Sequence, residues 1–381
     1  LDLFDPKPLL NKLAGQTLPD SFERPVTAMG EVNSPLLECK RQWAQHGESG
    51  LWISDWLPNH SKIADELCVI RSCVSDGINH AGGVCQMNTG SVFGGRPALG
   101  SWVSYGLGTE NDSLPAFVVI KDSNSMIVNG ARMWGSGFIP AVHQGALFEN
   151  GTEPIKNLNN PSGVSDTRQR QKLEFIEELN RGHYSARSSN TDLEAGIRSY
   201  ELAFRMQMQV PETLDLSKEN EKTKEAYGIG KDTTDAFGRK CLLARKLVEK
   251  GVRFVQLYHG SWDSHDYIER AHGNLVAGVD QPIAALIADL KERGLLDSTL
   301  IVWCGEFRGG TAYGRDHNPN AMTIWLAGGG CKAGHTVGAT DELGMEAVEG
   351  KAHVRDFHVT LLRLLGLDDN KLTFYHGGRF K

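Results

Sequence analysis

Apolar residues fall along the chain at two different spacings. Short unbroken runs occur at 67–71 (LCVIR), 116–120 (AFVVI), 253–258 (RFVQLY), 299–304 (TLIVWC) and 322–327 (MTIWLA). Their β-branched and aromatic content predicts strands buried on both faces. Elsewhere the apolar positions recur every three or four residues. In 277–293 this places Ile283, Leu286, Ile287 and Leu290 on one face, with Gly294 as the stop signal. The segment 235–250 repeats the device with Phe237, Leu242, Leu243 and Leu247 before Gly251, and 356–365 repeats it before Gly366. These are amphipathic helices with glycine terminators. Strands alternating with helices predict βαβ units and an α/β fold built on a mostly parallel sheet, with helices on both faces. Between about 123 and 234 polar and turn residues dominate, and charged helical stretches stand near 166–179 and 193–209. This middle reads as a helical insertion within a single domain spanning residues 1–381.

Composition narrows the function classes. The 381 residues carry 40 Lys plus Arg against 47 Asp plus Glu, a net charge of −7, unlike the basic surplus of a nucleic-acid binder. No apolar run approaches the roughly 18 residues that cross a bilayer. The seven cysteines are widely spread and contain no Cys-x-x-Cys, which argues against a zinc–cysteine site or a full disulfide framework. The opening Leu1-Asp2-Leu3-Phe4 is not a signal peptide, and the missing initiator Met fits a precursor that has lost a targeting segment.

Candidate chemistry gathers just after the predicted strands, where open α/β sheets bind ligands. His259, Asp263 and His265 follow 253–258; Glu306 follows 299–304; Asp316 and His317 lie in the next loop; Asp356 and His358 precede the last helix. Carboxylates and imidazoles are the donors that hold zinc, manganese and similar divalent cations. One such pair is usually a surface loop, whereas several at strand ends of one sheet predict a metal site. After 67–71, the polar segment 72–80 runs into small residues that open a helix, whose free N–H groups suit an anionic ester.

At these residues the chain resembles a bacterial sulfatase-like family, domain of unknown function 1501, placed in the alkaline phosphatase superfamily. The resemblance rests on ordered motifs along nearly the whole sequence: Phe4-Asp5-Pro6-Lys7-Pro8, Asn79-His80, Asn88-Thr89-Gly90, Gly94-Gly95-Arg96-Pro97, Trp262-Asp263-Ser264-His265, Gly305-Glu306-Phe307, Gly314-Arg315-Asp316-His317, Gly338-Ala339-Thr340-Asp341 and Asp356-Phe357-His358. It implies an alkaline-phosphatase-like α/β domain with one or two divalent cations, zinc first, with calcium, manganese or magnesium as alternatives. The implied metal set is Asp2, Asp263, His265, Glu306, His317 and, as further candidates, Asp316 and His358. Arg96, Arg308 and Arg315 would bind the substrate anion. The family's own strand and Gly-Gly-Pro-Ser-type turn would precede Leu1, and an export signal in relatives implies a periplasmic or secreted protein.

The resemblance further implies hydrolysis of sulfate or phosphate esters, on a small-molecule or glycan substrate, with no nucleic-acid partner. Counting back nine residues from Thr89 puts His80 at the superfamily's nucleophile position, where Ser, Thr or a modified Cys normally stands. No Cys/Ser-x-Pro-x-Arg motif occurs, so a formylglycine mechanism is not expected. His80 would act as nucleophile or acid/base, or a metal-bound water would attack while His80 and Asn79 bind the ester oxygens; the water is the preferred reading. Two alternatives remain: a silent binder of an anionic ester or glycan, and a cofactor-independent mutase.

Overall fold

The computed structural model describes residues 2–24, 33–122, 126–151, 154–155, 158, 160–185, 191–209, 215–305 and 316–381. The strands in chain order are β1 (Trp43–His46), β2 (Leu51–Ser54), β3 (Leu67–Val74), β4 (Phe117–Lys121), β5 (Ala146–Glu149) and β6 (Phe254–Leu257). They continue as β7 (Ile301–Trp303), β8 (Met322–Ala327), β9 (His335–Val337), β10 (Ala339–Thr340), β11 (Ala347–Glu349), β12 (Ala352–His353), β13 (Tyr375–His376) and β14 (Arg379–Phe380). The helices are α1 (Pro8–Lys12), α2 (His80–Thr89), α3 (Leu99–Leu107), α4 (Asp166–Ser185) and α5 (Thr191–Gln209), then α6 (Glu221–Ala226), α7 (Asp235–Glu249), α8 (Ile268–Glu292) and α9 (Val354–Leu364). No helix among the described residues is long and apolar enough to cross a membrane. Two compact units emerge: Leu1–Phe93, Lys222–Gly238 and Gly260–Gly366 form one, and Gly94–Glu221, Arg239–His259 and Leu367–Lys381 the other.

The first unit is built on a mixed sheet. β3 pairs antiparallel with β8, which pairs antiparallel with β7. β9 and β12 each pair parallel with β3. The expectation of a mostly parallel sheet is therefore corrected. Continuous apolar runs report burial on both faces, not strand direction: β8 is buried at five of its six positions although it runs against both neighbours. Successive antiparallel strands also need no crossover helix, and none is seen in the described residues between β7 and β8.

Trp325 on β8 is 1% exposed and stacks on Trp303 of β7 at 6.0 Å, with Phe4 set edge-on to Trp303 at 6.5 Å. α8 lays Val276, Val279, Ile283, Ile287 and Leu290 into the core, one stripe at helical spacing. Asp280 lies in that same stripe, 3% exposed, and accepts four hydrogen bonds. They come from the Asn59 N–H at 2.9 Å, the Asn59 amide at 2.7 Å, the His60 N–H at 3.0 Å and the His60 Nδ1 at 2.6 Å. His60, 2% exposed, sits edge-on to Trp325 at 5.7 Å.

One glycine of this unit is fixed by its surroundings. Gly338, between β9 and β10, has φ +70°, and a Cβ there would overlap the Ser72 hydroxyl and stand 2.7 Å from the Glu349 carbonyl. Ser72 cannot yield, because it is fully buried and donates to the Gly350 carbonyl at 2.6 Å. Gly338→Ala is expected to lower stability by about 2–4 kcal/mol, left-handed strain plus overpacking, as read by urea unfolding.

The second unit contains a three-stranded parallel sheet, with β4 between β5 and β6. Phe117, Val118, Val119 and Ile120 are all at most 1% exposed. Alternate side chains serve opposite faces. Val118 and Ile120 join Leu114, Phe148, Met206, Leu243, Leu247 and Val252 in one core, which brings α5 and α7 onto that face. On the other face α3 approaches so closely that a Cβ on Gly100 would meet the Phe117 ring at 2.7 Å. The short hairpin β13–β14 turns on Gly377 and Gly378, φ +57° and +82°, the two positive values a type I′ turn requires.

Candidate metal centre

The first unit brings together His80, Asp263, His265 and His317, whose ligand atoms all lie within 4.8 Å of one another. The Asp263 carboxylate is the hub. His80 Nε2 stands 3.0 Å from its Oδ2, while His265 Nε2 and His317 Nε2 stand 2.8 and 3.4 Å from its Oδ1. The His80 and His317 rings meet edge to face at 4.3 Å.

His80 is placed by α2, of which it is the first residue. Asn79 caps the helix, its Oδ1 accepting from the Gly82 N–H at 3.0 Å. The turn from β3 into α2 is pinned by the fully buried side chain of Gln86. Its Oε1 accepts from the Ser75 hydroxyl at 2.7 Å and the Asp76 N–H at 2.8 Å, and its Nε2 donates to Asp76 Oδ2 at 2.8 Å. Gly77 completes the turn, since a Cβ there would stand 2.5 Å from the Gly83 nitrogen. At the far end, His358 of α9 holds the helix by Nε2 to the Met87 carbonyl at 2.9 Å.

Asp263 and His265 lie in the loop that enters α8. Ser261 and Tyr267 take positive φ of 69° and 51° there, backbone strain of the kind that collects at functional sites. The buried His272 anchors the loop through Nε2 to the Trp262 carbonyl at 3.1 Å. His317 follows the fully buried Asp316, whose Oδ1 accepts the His317 N–H at 2.6 Å.

The electrostatics favour a cation. Burial works to raise the Asp263 pKa, but the charges of His80 and His265 and the hydrogen bond and charge of His317 outweigh it and hold the carboxyl below its ordinary 3.8. Asp263 is therefore an anion at any neutral pH. His317 Nδ1 faces the Ile78 carbonyl at 3.1 Å and its Nε2 faces the Asp263 carboxylate at 3.4 Å. Three imidazole nitrogens and one carboxylate oxygen are the donor set of a divalent first-row metal, zinc included, and the residues present fit such an ion.

The remaining candidates fall elsewhere. Asp2, half-buried, and Asp316 and His358, both buried, stand outside the cluster of four; Asp316 caps the His317 backbone and His358 holds α2. Asn79 is a helix cap. Arg96 is exposed and belongs to the other unit. Glu306, Arg308 and Arg315 lie outside the described residues. His80, read from sequence as nucleophile, acid/base or a ligand of the ester oxygens, stands in the imidazole cluster.

Two further polar groups were not singled out. Asp76 is held by His353 Nε2 at 3.1 Å and by Arg355, both at the start of α9. In the second unit, Lys240 Nζ, 1% exposed, donates to Asp122 Oδ2 at 2.7 Å and the Tyr258 carbonyl at 2.8 Å, at the carboxyl ends of β4 and β6. Beside it, burial and the Lys240 charge lower the His259 pKa to about 4, so that ring is neutral at working pH.

No curated protein matches the chain. A solved structure, "Crystal structure of Ps i-CgsB in complex with k-i-k-neocarrahexaose", aligns with a TM-score of 0.37 at 10% identity over 82% of this chain and 67% of that one, a likeness too low to bear on function. Residues 1–381 match the family described as "Protein of unknown function (DUF1501)", and the chain belongs to that family.

Proposed function

We propose that this chain is a metal-dependent hydrolase of sulfate or phosphate esters, with one divalent cation held by His80, Asp263, His265 and His317. The observation that supports it is the convergence of three Nε2 atoms on the Asp263 carboxylate at 2.8–3.4 Å, from three separate stretches of chain. A cation bound there supplies Lewis acidity and lowers the pKa of coordinated water toward about 7.

The chain's own residues do the rest. α2 opens at His80, and the positive end of its dipole suits a tetrahedral oxyanion. Gln86 and His358 fix both ends of that helix, so the oxyanion position is set before substrate arrives. His317 Nδ1 lies 3.1 Å from the Ile78 carbonyl, a contact that orients the ring. The sequence offers no formylglycine motif to provide a covalent alternative.

The test uses the purified protein with 4-nitrophenyl sulfate and 4-nitrophenyl phosphate. Turnover that disappears in chelator and returns when zinc or manganese is added supports the reading. Bound metal with no turnover of either ester overturns it in favour of a non-catalytic binder.

A further inference from the structure

In the second unit, helix α4 turns one face to solvent. Its half-buried positions Leu173, Ile176, Asn180 and Tyr184 follow helical spacing along one side. At the edge of that side Arg170 lies over the Phe204 ring of α5 at 5.9 Å. The opposite side presents Arg168, Gln171, Lys172, Phe175, Glu178 and Leu179, every one exposed. Phe175 and Leu179, one turn apart near its centre, are 61% and 58% exposed. Charge is sorted along the same helix: Arg168, Arg170 and Lys172 come first, and Glu174, Glu177 and Glu178 follow. The helix dipole gives no reason for that order, since it favours acidic side chains at the start and basic ones at the end. Glu177 is paired within the helix to Arg181, whereas Lys172 and Glu178 take no ion pair among the described residues.

We propose that this face pairs with its own counterpart on a second copy of the chain, the two α4 helices running antiparallel about a twofold axis at Phe175. A twofold contact joins one patch to itself. With the axis there, the two Phe175 rings meet and leave water together. Lys172, three residues before the centre, then faces Glu178, three residues after it, on the other copy. The match occurs twice, once on each side of the axis. Leu179 lies beside Gln171 and the aliphatic stem of Lys172 across the contact. A parallel pairing would set Lys172 against Lys172 and Glu178 against Glu178, which repulsion disfavours. An anionic lipid surface would attract the basic stretch of the helix and repel the acidic one. A uniformly charged protein partner meets the same conflict. Pairing with itself satisfies both stretches.

Sedimentation velocity on the full chain, from about 1 to 200 μM, reads the assembly directly. A monomer–dimer equilibrium is expected with a dissociation constant of about 1–100 μM, since one helix on each side makes a small interface. Phe175→Ser removes the central ring from both copies and is expected to weaken the dimer at least about tenfold. Should that variant fail to fold by circular dichroism, Leu179→Ser replaces it. Lys172→Glu and Glu178→Lys, each run alone, are expected to weaken the dimer about tenfold, because each sets like charges together twice. Mixed in equal amounts they are expected to recover it, since every pair in the mixed dimer is then opposite in sign. A role for these side chains within their own chain would give no such recovery. A chain that stays monomeric throughout that range would overturn the pairing, as would a dimer indifferent to Phe175 and Leu179 or a mixture no stronger than its parts. Capture of a monomeric chain on phosphatidylserine vesicles would overturn it in favour of a membrane surface. The readout is mass, so its failure is separate from a failure to hydrolyse aryl esters.

Discussion

Asp263→Ala is expected to empty the proposed cation site, so that metal content measured on the purified variant falls to background. Asp263 is the group all three imidazoles face, at 2.8, 3.0 and 3.4 Å, and it supplies the negative charge of the donor set. Its removal takes away the one carboxylate among the four donors. Loss of a partner in the outer ring of a metal site already costs about 10–100-fold in affinity, so loss of the central ligand should exceed that. Asp263→Asn, which keeps the shape and removes the charge, is expected to behave alike. A variant that retains its metal at full stoichiometry would remove the basis of the hydrolase reading. Elemental analysis decides the matter without any substrate.

Asp280→Ala has the largest expected effect on folding, a loss of about 3–5 kcal/mol in urea unfolding of the first unit. Four donors converge on its carboxylate, two of them backbone N–H groups with no other partner once it is gone. Leaving buried polar groups unpaired costs more than the hydrogen bonds contribute while they are made. Burial alone would raise the Asp280 pKa, but the His60 hydrogen bond and charge and the backbone N–H groups of His60 and Asn59 prevail, so it lies below 3.8 in the folded chain. A folded value under the unfolded one means that the contribution is complete above pH 3.8 and fades as pH falls through the lower folded value. The wild-type chain should therefore lose stability on acidification in that window, and Asp280→Asn should flatten the slope. An unchanged slope would show that the carboxylate is not the group responsible.

The sequence pattern located the elements well because buried runs and amphipathic stripes are local signals. MTIWLA is β8 residue for residue, and the stripe of Ile283, Ile287 and Leu290 is the buried face of α8. Strand direction is not local, so β7 and β8 were read as parallel when they are antiparallel. Nor does the pattern show that the chain passes back and forth between two compact units. At the site, Asp263, His265 and His317 were legible as donors after strands. The place of His80 among them was not, because it depends on how the β3–α2 turn aims the helix. His358 carries the same donor type yet is spent on the Met87 carbonyl, a contact no spacing reveals. Asp280 was invisible for another reason: a stripe reading of α8 counts apolar positions and passes over the carboxylate between them.

None of the seven cysteines forms a disulfide among the described residues, so no such bond ties distant stretches to one another there. An ion gripped by residues 80, 263, 265 and 317 would rivet three such stretches together, a bond formed only in the native chain and undone by withdrawing the ion. At a free-ion level one hundred times its dissociation constant, such a rivet adds about 2.7 kcal/mol to the native state. The supply of the ion would then govern how long each molecule survives, alongside whatever chemistry it performs.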